Sequence, residues 1–450
     1  MRLLHYSDVE NVYDRPERAG RLAGCIDARR DGETVVVGTG DDLGPGVLPM
    51  VEDGAQALDL FEALDPEVET FGNHDFDYGL DAARRVVRES PQTWVSANVS
   101  EDGDPFAADA GVVPRTVVER GGRRVGFVGV SDPESSIPDA LTVTDPASAI
   151  RAGVADLRAE GVERVVALAH VHDERLTDLA RAADLDAILA GHVHGERCDR
   201  IDGTLVVRPG ANGRVVWEVE LGEEVRATRR EVQRFPCAER VAERLRTRMA
   251  ETGLSAVVGR AEDPIERDRR ACFAGERRVS NLLADAYRWA GDADVGYYDT
   301  GMLRSGPPLS GDVTVADVMG LAPFAADLCV ARVSGAALRE LAEATVVTDE
   351  RAARIPGDAA WWGQFSGMSV VWDPGADVVR EVRVGGDPLD PDGEYAVATN
   401  EYVVDTDEFP GVTRADVTEV VSVQYDALVE YAREFGVEAG IDGRIVVEEW

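Results

Sequence analysis

A chain of 450 residues is too long for one ordinary domain and calls for two, or at most three. Asp and Glu number 85 against 47 basic residues, a formal net charge of −38, which disfavours binding nucleic acid or an acidic membrane through a basic face. Every basic residue is arginine and the acidic residues are spread along the chain, a surface that repels itself unless counterions screen it.

That composition is expected of a salt-adapted protein from a halophilic, haloarchaeal type of cell, because the Debye length shrinks to about 3 Å at 1 M salt. The five cysteines (Cys25, Cys198, Cys237, Cys272 and Cys329) are odd in number, far apart and form no Cys-x-x-Cys pair. They read as buried thiols in a reducing compartment, neither a zinc knuckle nor a disulfide framework. The start, Met-Arg-Leu-Leu-His-Tyr-Ser-Asp, enters a strand at once, and no apolar run approaches the roughly 20 residues of a membrane span. A cytoplasmic protein is the expectation.

In chain order, strand-like apolar runs fall at Arg2–Tyr6, 34–38, 68–71, 93–97, 164–169 and 187–190. Helical patterns lie between several of them, at 18–30, 55–64, 80–88 and 174–183. This alternation predicts an α/β domain. Two hairpins are expected within it, 115–130 turning at Gly121-Gly122 and 204–221 turning near Asn212-Gly213. A charged helical stretch at 239–252 reads as a connector. A second αβ pattern follows, with helices near 280–289 and 335–344, then a β-rich part with runs at 368–372, 378–384 and 395–399. The expected division is 1–225, a linker helix in 226–255, and 256–450.

All six histidines lie in the first 200 residues, most of them just after a strand run. Asp8 follows the first run and Asp41 ends Gly40-Asp41. Gly72-Asn73-His74-Asp75 follows the third, His170 follows 165–169, and Gly191-His192-Val193-His194 follows the last. In open α/β sheets the carboxyl ends of the strands are where ligands bind. Carboxylates, an amide oxygen and imidazoles form a mixed donor set that suits Mn, Fe, Zn or Co better than Ca.

These motifs resemble the calcineurin-like metallophosphoesterases. The run Gly72-Asn73-His74-Asp75-Phe76-Asp77-Tyr78-Gly79 is similar to the 5'-nucleotidase branch, of the bifunctional 5'-nucleotidase/UDP-sugar hydrolase type. In the second half, residues 281–286, Gly301-Met302-Leu303-Arg304, Pro323-Phe324 and Thr399-Asn400-Glu401-Tyr402 resemble that branch's C-terminal domain. The resemblance implies an N-terminal four-layer αββα sandwich and a C-terminal α+β domain of the 5'-nucleotidase type. It implies two divalent ions about 3.5–4 Å apart that clamp a phosphoryl group for attack by water. Asp41 would bridge them, Asp8 and His194 would bind one, and Asn73, His170 and His192 the other. His74, paired with Asp75, would act on the leaving oxygen.

The chain departs from this pattern at Asp8-Val9-Glu10, where the family has Asp-x-His. Glu10 is taken as a ligand that favours harder metals such as Mn or Mg over Zn. His172 stands where the family usually has Gly, and is read as a solvated loop histidine in preference to a substitute imidazole. Substrate binding falls by the resemblance to Arg304 for phosphate, with Trp362 (Phe365 as its rival) and Phe409 stacking on a base and Asp407 beside them. Ala326 and Asp405-Thr406-Asp407-Glu408 depart from the family here. The favoured activity is release of phosphate from a nucleoside monophosphate. The alternatives are a cyclic-nucleotide or UDP-sugar phosphohydrolase, and a metal-poor, catalytically weak binding protein. The expected partner is a small-molecule nucleotide or phosphate ester, with no nucleic acid and no membrane.

Overall fold

The computed structural model describes residues 1–346, 361–376 and 378–448. Contacts divide the chain into two units, Met1–Thr252 and Gly253–Trp450.

In the first unit two six-stranded sheets lie face to face. One runs in the order Val225–Glu231, Val215–Leu221, Arg2–Tyr6, Thr34–Gly38, Val68–Glu69 and Thr93–Trp94. The other runs Arg197–Ile201, Thr204–Arg208, Ala187–Ala190, Arg164–His170, Arg123–Ser131 and Arg115–Arg120. Strand alternation sorts the apolar residues. Leu3, Val35 and Val37 meet Phe127, Val166 and Leu168 between the sheets. Val165, Ala167 and Ala169 turn outward to pack under the helices Pro146–Ala159 and Asp173–Ala182 through Ile150, Leu157, Leu176 and Leu179. The helix Pro16–Arg29 covers the outside of the first sheet with Leu22, Cys25 and Ile26 buried. The layers are therefore helix, sheet, sheet, helix.

The hairpin expected at 115–130 is present, with Arg120 opposite Arg123 across the glycine turn. The one expected at 204–221 is not. Thr204–Arg208 pairs with Arg197–Ile201 and Ala187–Ala190 in one sheet, whereas Val215–Leu221 pairs with Arg2–Tyr6 and Val225–Glu231 in the other. Asn212 and Gly213 are indeed left-handed, but their turn carries the chain from sheet to sheet, and the Asn212 N–H donates to the Asp8 carbonyl (2.7 Å). The local turn signal was sound; which strand each arm pairs with is set by the sandwich. The helix Glu239–Glu251 packs on Pro16–Arg29 and Ala57–Leu64, within the first unit.

The second unit is α+β. Its five-stranded sheet runs Gly363–Ser366, Val295–Asp299, Glu394–Asn400, Asp327–Ser334, Val417–Val423 and is antiparallel except for one pair. The four-stranded sheet and the helix Gly335–Ala344 share with it a core that includes Tyr297, Trp361 and Phe365, while the helices Arg278–Ala290 and Gln424–Phe435 pack on each other beside a two-stranded sheet. Among the described residues no helix is long and apolar enough to cross a membrane.

One buried charge cluster ties the first sheet to its helix. The Glu218 side chain, 3% exposed, accepts from Arg2 (3.0 Å), Arg29 (2.9 and 3.0 Å) and Arg230 (2.7 Å). Burial alone would raise its pKa, but the three guanidiniums outweigh burial and push it down to about 2. Removing one member of a buried charge set leaves the others uncompensated. Glu218→Gln should therefore cost about 3 kcal/mol, a fall in melting temperature of roughly 6–12 °C for a unit of this size. Because the folded pKa lies below the unfolded value of about 4.3, this stability is present above about pH 4 and is lost as pH falls towards 2. Melting curves from pH 7 to 2 should show the variant losing less than the parent over that window. Equal losses would remove Glu218 as the cause.

Candidate metal centre

Five strand ends deliver the site. Arg2–Tyr6 leads to Asp8, Thr34–Gly38 to Asp41, and Val68–Glu69 to Asn73 and His74, while Arg164–His170 ends on His170 and Ala187–Ala190 leads to His192 and His194. These strands run parallel within their sheets, so their carboxyl ends share an edge. Asp8, Glu10, Asp41 and His192 all have left-handed backbones, with φ of 50°, 49°, 55° and 73°. Such conformations cost energy for residues with side chains and gather at functional sites. The motif glycines answer to close approach: a Cβ at Gly72 would overlap Asp41, and one at Gly191 would come within 2.7 Å of the Thr39 carbonyl and 2.8 Å of His170 Nδ1.

Two groups of donors result. Asp41, His170 and His192 offer ligand atoms within 4.8 Å of one another, and so do Asp8, Glu10 and His194. Asn73 joins the first group, its Oδ1 lying 3.1 Å from His192 Nδ1. His170 Nδ1 is 2.7 Å from the Thr39 carbonyl, which can only accept, so that nitrogen carries the proton. That leaves Nε2, which faces Asp41 Oδ2 (3.0 Å) and His192 Nδ1 (3.2 Å), as the nitrogen that a cation would take in place of a proton. In the second group His194 Nε2 lies 2.7 Å from Glu10 Oε1, and Asp8 Oδ1 accepts the His192 N–H at 3.0 Å. Lone pairs converging in this way, with buried carboxylates among them, fit a divalent cation in each group.

The electrostatics fit as well. Burial pushes the Asp8 carboxyl up to about 7, against the pull of His170. Burial also opposes a charge on His170, yet the Asp41 carboxylate outweighs it and raises the ring to about 10. A bound cation supplies the positive charge that the protonated ring otherwise provides.

His74 does not pair with Asp75. Its Nδ1 is 2.8 Å from Asp77 Oδ2, and its backbone N–H donates to Asp41 Oδ1 at 2.7 Å. Residues 74–76 form a 3-10 turn, which sets positions i and i+3 above one another. Asp75 faces inward and accepts four backbone N–H groups, from Gly72, Asp41, Asp42 and Leu43 at 2.7–3.1 Å. It shapes the ligand loop, and Asp77 is the partner. Burial would lower the His74 pKa, but its bond to Asp77 leads the effects that raise it to about 9. The i,i+3 spacing of His74 and Asp77 was the available signal.

His172 also lies at the centre, its Nε2 3.0 Å from His192 Nε2 and its Nδ1 3.0 Å from the buried Asp132. Asp132 went unread in the sequence. Its only mark was its place at the end of an apolar strand run.

In the second unit Arg304 stacks on Phe324 at 4.3 Å, so the Arg304 loop and the Pro-Phe motif come together. Trp362 is partly exposed and packs on Phe273 (5.2 Å). Its rival Phe365 is fully buried. Phe409, expected to stack on a base, is 1% exposed and lies edge-on to Tyr297 in the core, because its aromatic bulk is used to fill that core. Tyr402 beside it is 42% exposed, and Asp407 is exposed.

Residues 1–196 match the family described as calcineurin-like phosphoesterase, and residues 257–414 match the 5'-nucleotidase C-terminal domain. The chain joins a domain of the calcineurin-like phosphoesterase family to a 5'-nucleotidase C-terminal domain. Members are hydrolases of phosphoric ester bonds that use divalent metals. The chain is 23% identical to endonuclease YhcR of Bacillus subtilis, over 82% of this chain and 33% of that protein. It is also 23% identical to the trifunctional nucleotide phosphoesterase YfkN of the same organism, over 98% of this chain and 34% of that one. It thus spans about a third of those relatives' length. The structure of a 5'-nucleotidase precursor from Thermus thermophilus shares the fold, with a TM-score of 0.73, 22% identity and 99% of each chain covered.

Proposed function

We propose that this protein releases phosphate from nucleoside monophosphates with two divalent ions, of which Asp41, Asn73, His170 and His192 would hold one and Asp8, Glu10 and His194 the other, with Asp41 shared between them. The observation that carries this reading is the pair of converging donor groups beside the His74–Asp77 pair. Bound there, the ions supply Lewis acidity at a phosphoryl oxygen and acidify a water. Asp77 holds His74 Nδ1–H, which leaves Nε2–H to protonate the leaving oxygen or to stabilise charge on the phosphoryl group. In the second unit Arg304, Trp362 and Asp407 are assigned to substrate on their exposure; the buried Phe409 carries that role less well.

The test is a screen of the chelated protein in molar KCl against a nucleoside monophosphate, a cyclic nucleotide and UDP-glucose, each with Mn, Zn, Co, Fe or Mg. Phosphate release from the monophosphate that requires added metal is the expected result. Protein that binds two ions yet releases phosphate from none of these esters would overturn the reading. Preference for the cyclic or sugar ester would replace the substrate and keep the chemistry.

Glu10 lies within the second donor group, which supports ligation over a metal-poor site. Its extra charge should weaken the pull on bound water and favour Mn over Zn. Glu10→Gln should weaken metal binding by about tenfold or more, the equivalent of about 1.4 kcal/mol, and Glu10→His should shift preference towards Zn. Unchanged metal dependence in both variants would make Glu10 a bystander.

We propose a salty, reducing cytoplasm as the setting of this protein, a reading supported by its charge of −38 and its free cysteines. Its melting temperature should fall as KCl is diluted from molar to low concentration. A flat or rising curve would remove that part of the reading.

A further inference from the structure

His172 sits at the N-terminus of the helix Asp173–Ala182, two residues past His170. The oxygen that faces its Nδ1, Asp132 Oδ2, also accepts the His172 backbone N–H at 2.9 Å. Asp132 is itself fixed. Its side chain is fully buried, its Oδ1 accepts the Glu134 N–H (3.0 Å), and its own N–H donates to the His170 carbonyl (3.0 Å). Arg175 Nε lies 3.7 Å away. On the other side of His172, its ring meets His192 edge to face, with centroids 4.2 Å apart and planes at 77°.

The proton positions follow from the partners. Asp132 only accepts, so His172 Nδ1 carries a proton and the neutral ring presents Nε2 as an acceptor. His192 Nδ1 lies with Asn73 Oδ1 and His170 Nε2 in the first donor group, and with His192 read as a ligand through Nδ1 that nitrogen is bare and the ring proton is on Nε2. That proton points at His172 Nε2, 3.0 Å away. The chain His192 Nε2–H to His172 Nε2, then His172 Nδ1–H to Asp132, satisfies every group along it.

We propose that His172 is a positioning residue that holds His192 in the tautomer and orientation needed to bind metal through Nδ1, with Asp132 as its anchor. Groups that accept the outer N–H of a ligand histidine fix its ring and strengthen it as a donor, and losing one costs about 10–100-fold in metal affinity or activity. The inference rests on the reading of His192 as a ligand.

The test compares the full chain with His172→Ala, His172→Gln and His192→Ala. Mn affinity for each of two ions is read by chelator competition, the absorption spectrum with bound Co is recorded, and the melting temperature is taken without metal. His172→Ala should weaken one ion by about 10–100-fold, change the Co spectrum, and leave the other ion and the metal-free melting temperature unchanged. His172→Gln, which restores an acceptor oxygen, should recover most of the loss. Wild-type affinity and spectrum in His172→Ala would overturn the proposal, as would complete loss of one ion without rescue by Gln, which would make His172 a ligand itself. Two ions bound normally by His192→Ala would instead overturn the reading of His192, and the proposal with it.

Discussion

Asp41→Asn should empty the centre of both ions and lower turnover by about three orders of magnitude or more. Asp41 Oδ2 faces His170 Nε2 at 3.0 Å and its Oδ1 holds the His74 N–H at 2.7 Å, so one carboxylate touches both the His170 imidazole and the loop that carries His74 and Asp77. An asparagine there has one oxygen and one N–H₂ group. It either turns a donor towards the metal position or abandons the His74 loop. It also removes a charge that each ion needs. Lewis-acid stabilisation of several kcal/mol is then lost, and about 4 kcal/mol corresponds to a thousandfold in rate. Metal content by elemental analysis and kcat on a nucleoside monophosphate in molar KCl check this together. Loss of only one ion, with the other held at full affinity, would show that Asp41 does not bridge.

The second large effect is a separation among three neighbours. His74→Asn should lower kcat by about 10²–10⁴-fold, the usual contribution of a positioned acid–base group, with metal content unchanged. Asp77→Asn should lower kcat less, since the ring survives but loses the carboxylate that holds its Nδ1–H. Asp75→Asn should act mainly on stability. It leaves one oxygen for four backbone N–H groups that now share two, and unsatisfied buried donors cost about 1–3 kcal/mol. The diagnostic is the pattern: a fall in kcat without a fall in melting temperature at positions 74 and 77, and the reverse at 75. A rate loss at 75 larger than at 77 would restore Asp75 as the partner of His74.

The strand-end positions of Asp8, Asp41, Asn73, His170, His192 and His194 were legible without coordinates. Apolar runs marked the strands, and parallel strands in one sheet bring their carboxyl ends to one edge. The alternating faces of 165–169 were equally open to reading, since a strand's period is two. Glu218 was not. Its three arginines come from residues 2, 29 and 230, and nothing local joins them.

Where the reading of the sequence departed from the structure, the choice lay between neighbours that look alike in one dimension. Asp75 and Asp77 are both acidic and both near His74, and the direction of a single 3-10 turn separates them. Asn212-Gly213 marks a turn, but a turn signal says nothing of whether its two arms share a sheet. Phe365 and Phe409 are aromatic, and whether a ring fills a core or meets a ligand is a property of the packing around it. His172 is a loop histidine with a 43% exposed side chain, as the sequence suggested, but its two partners, Asp132 and His192, lie 40 and 20 residues away. The sequence by itself determined which chemical groups this protein brings to its strand ends, because periodicity and motif order are local. Only the tertiary structure decided which of them touch, because side-chain pairing depends on turn geometry and on packing between elements distant in the chain.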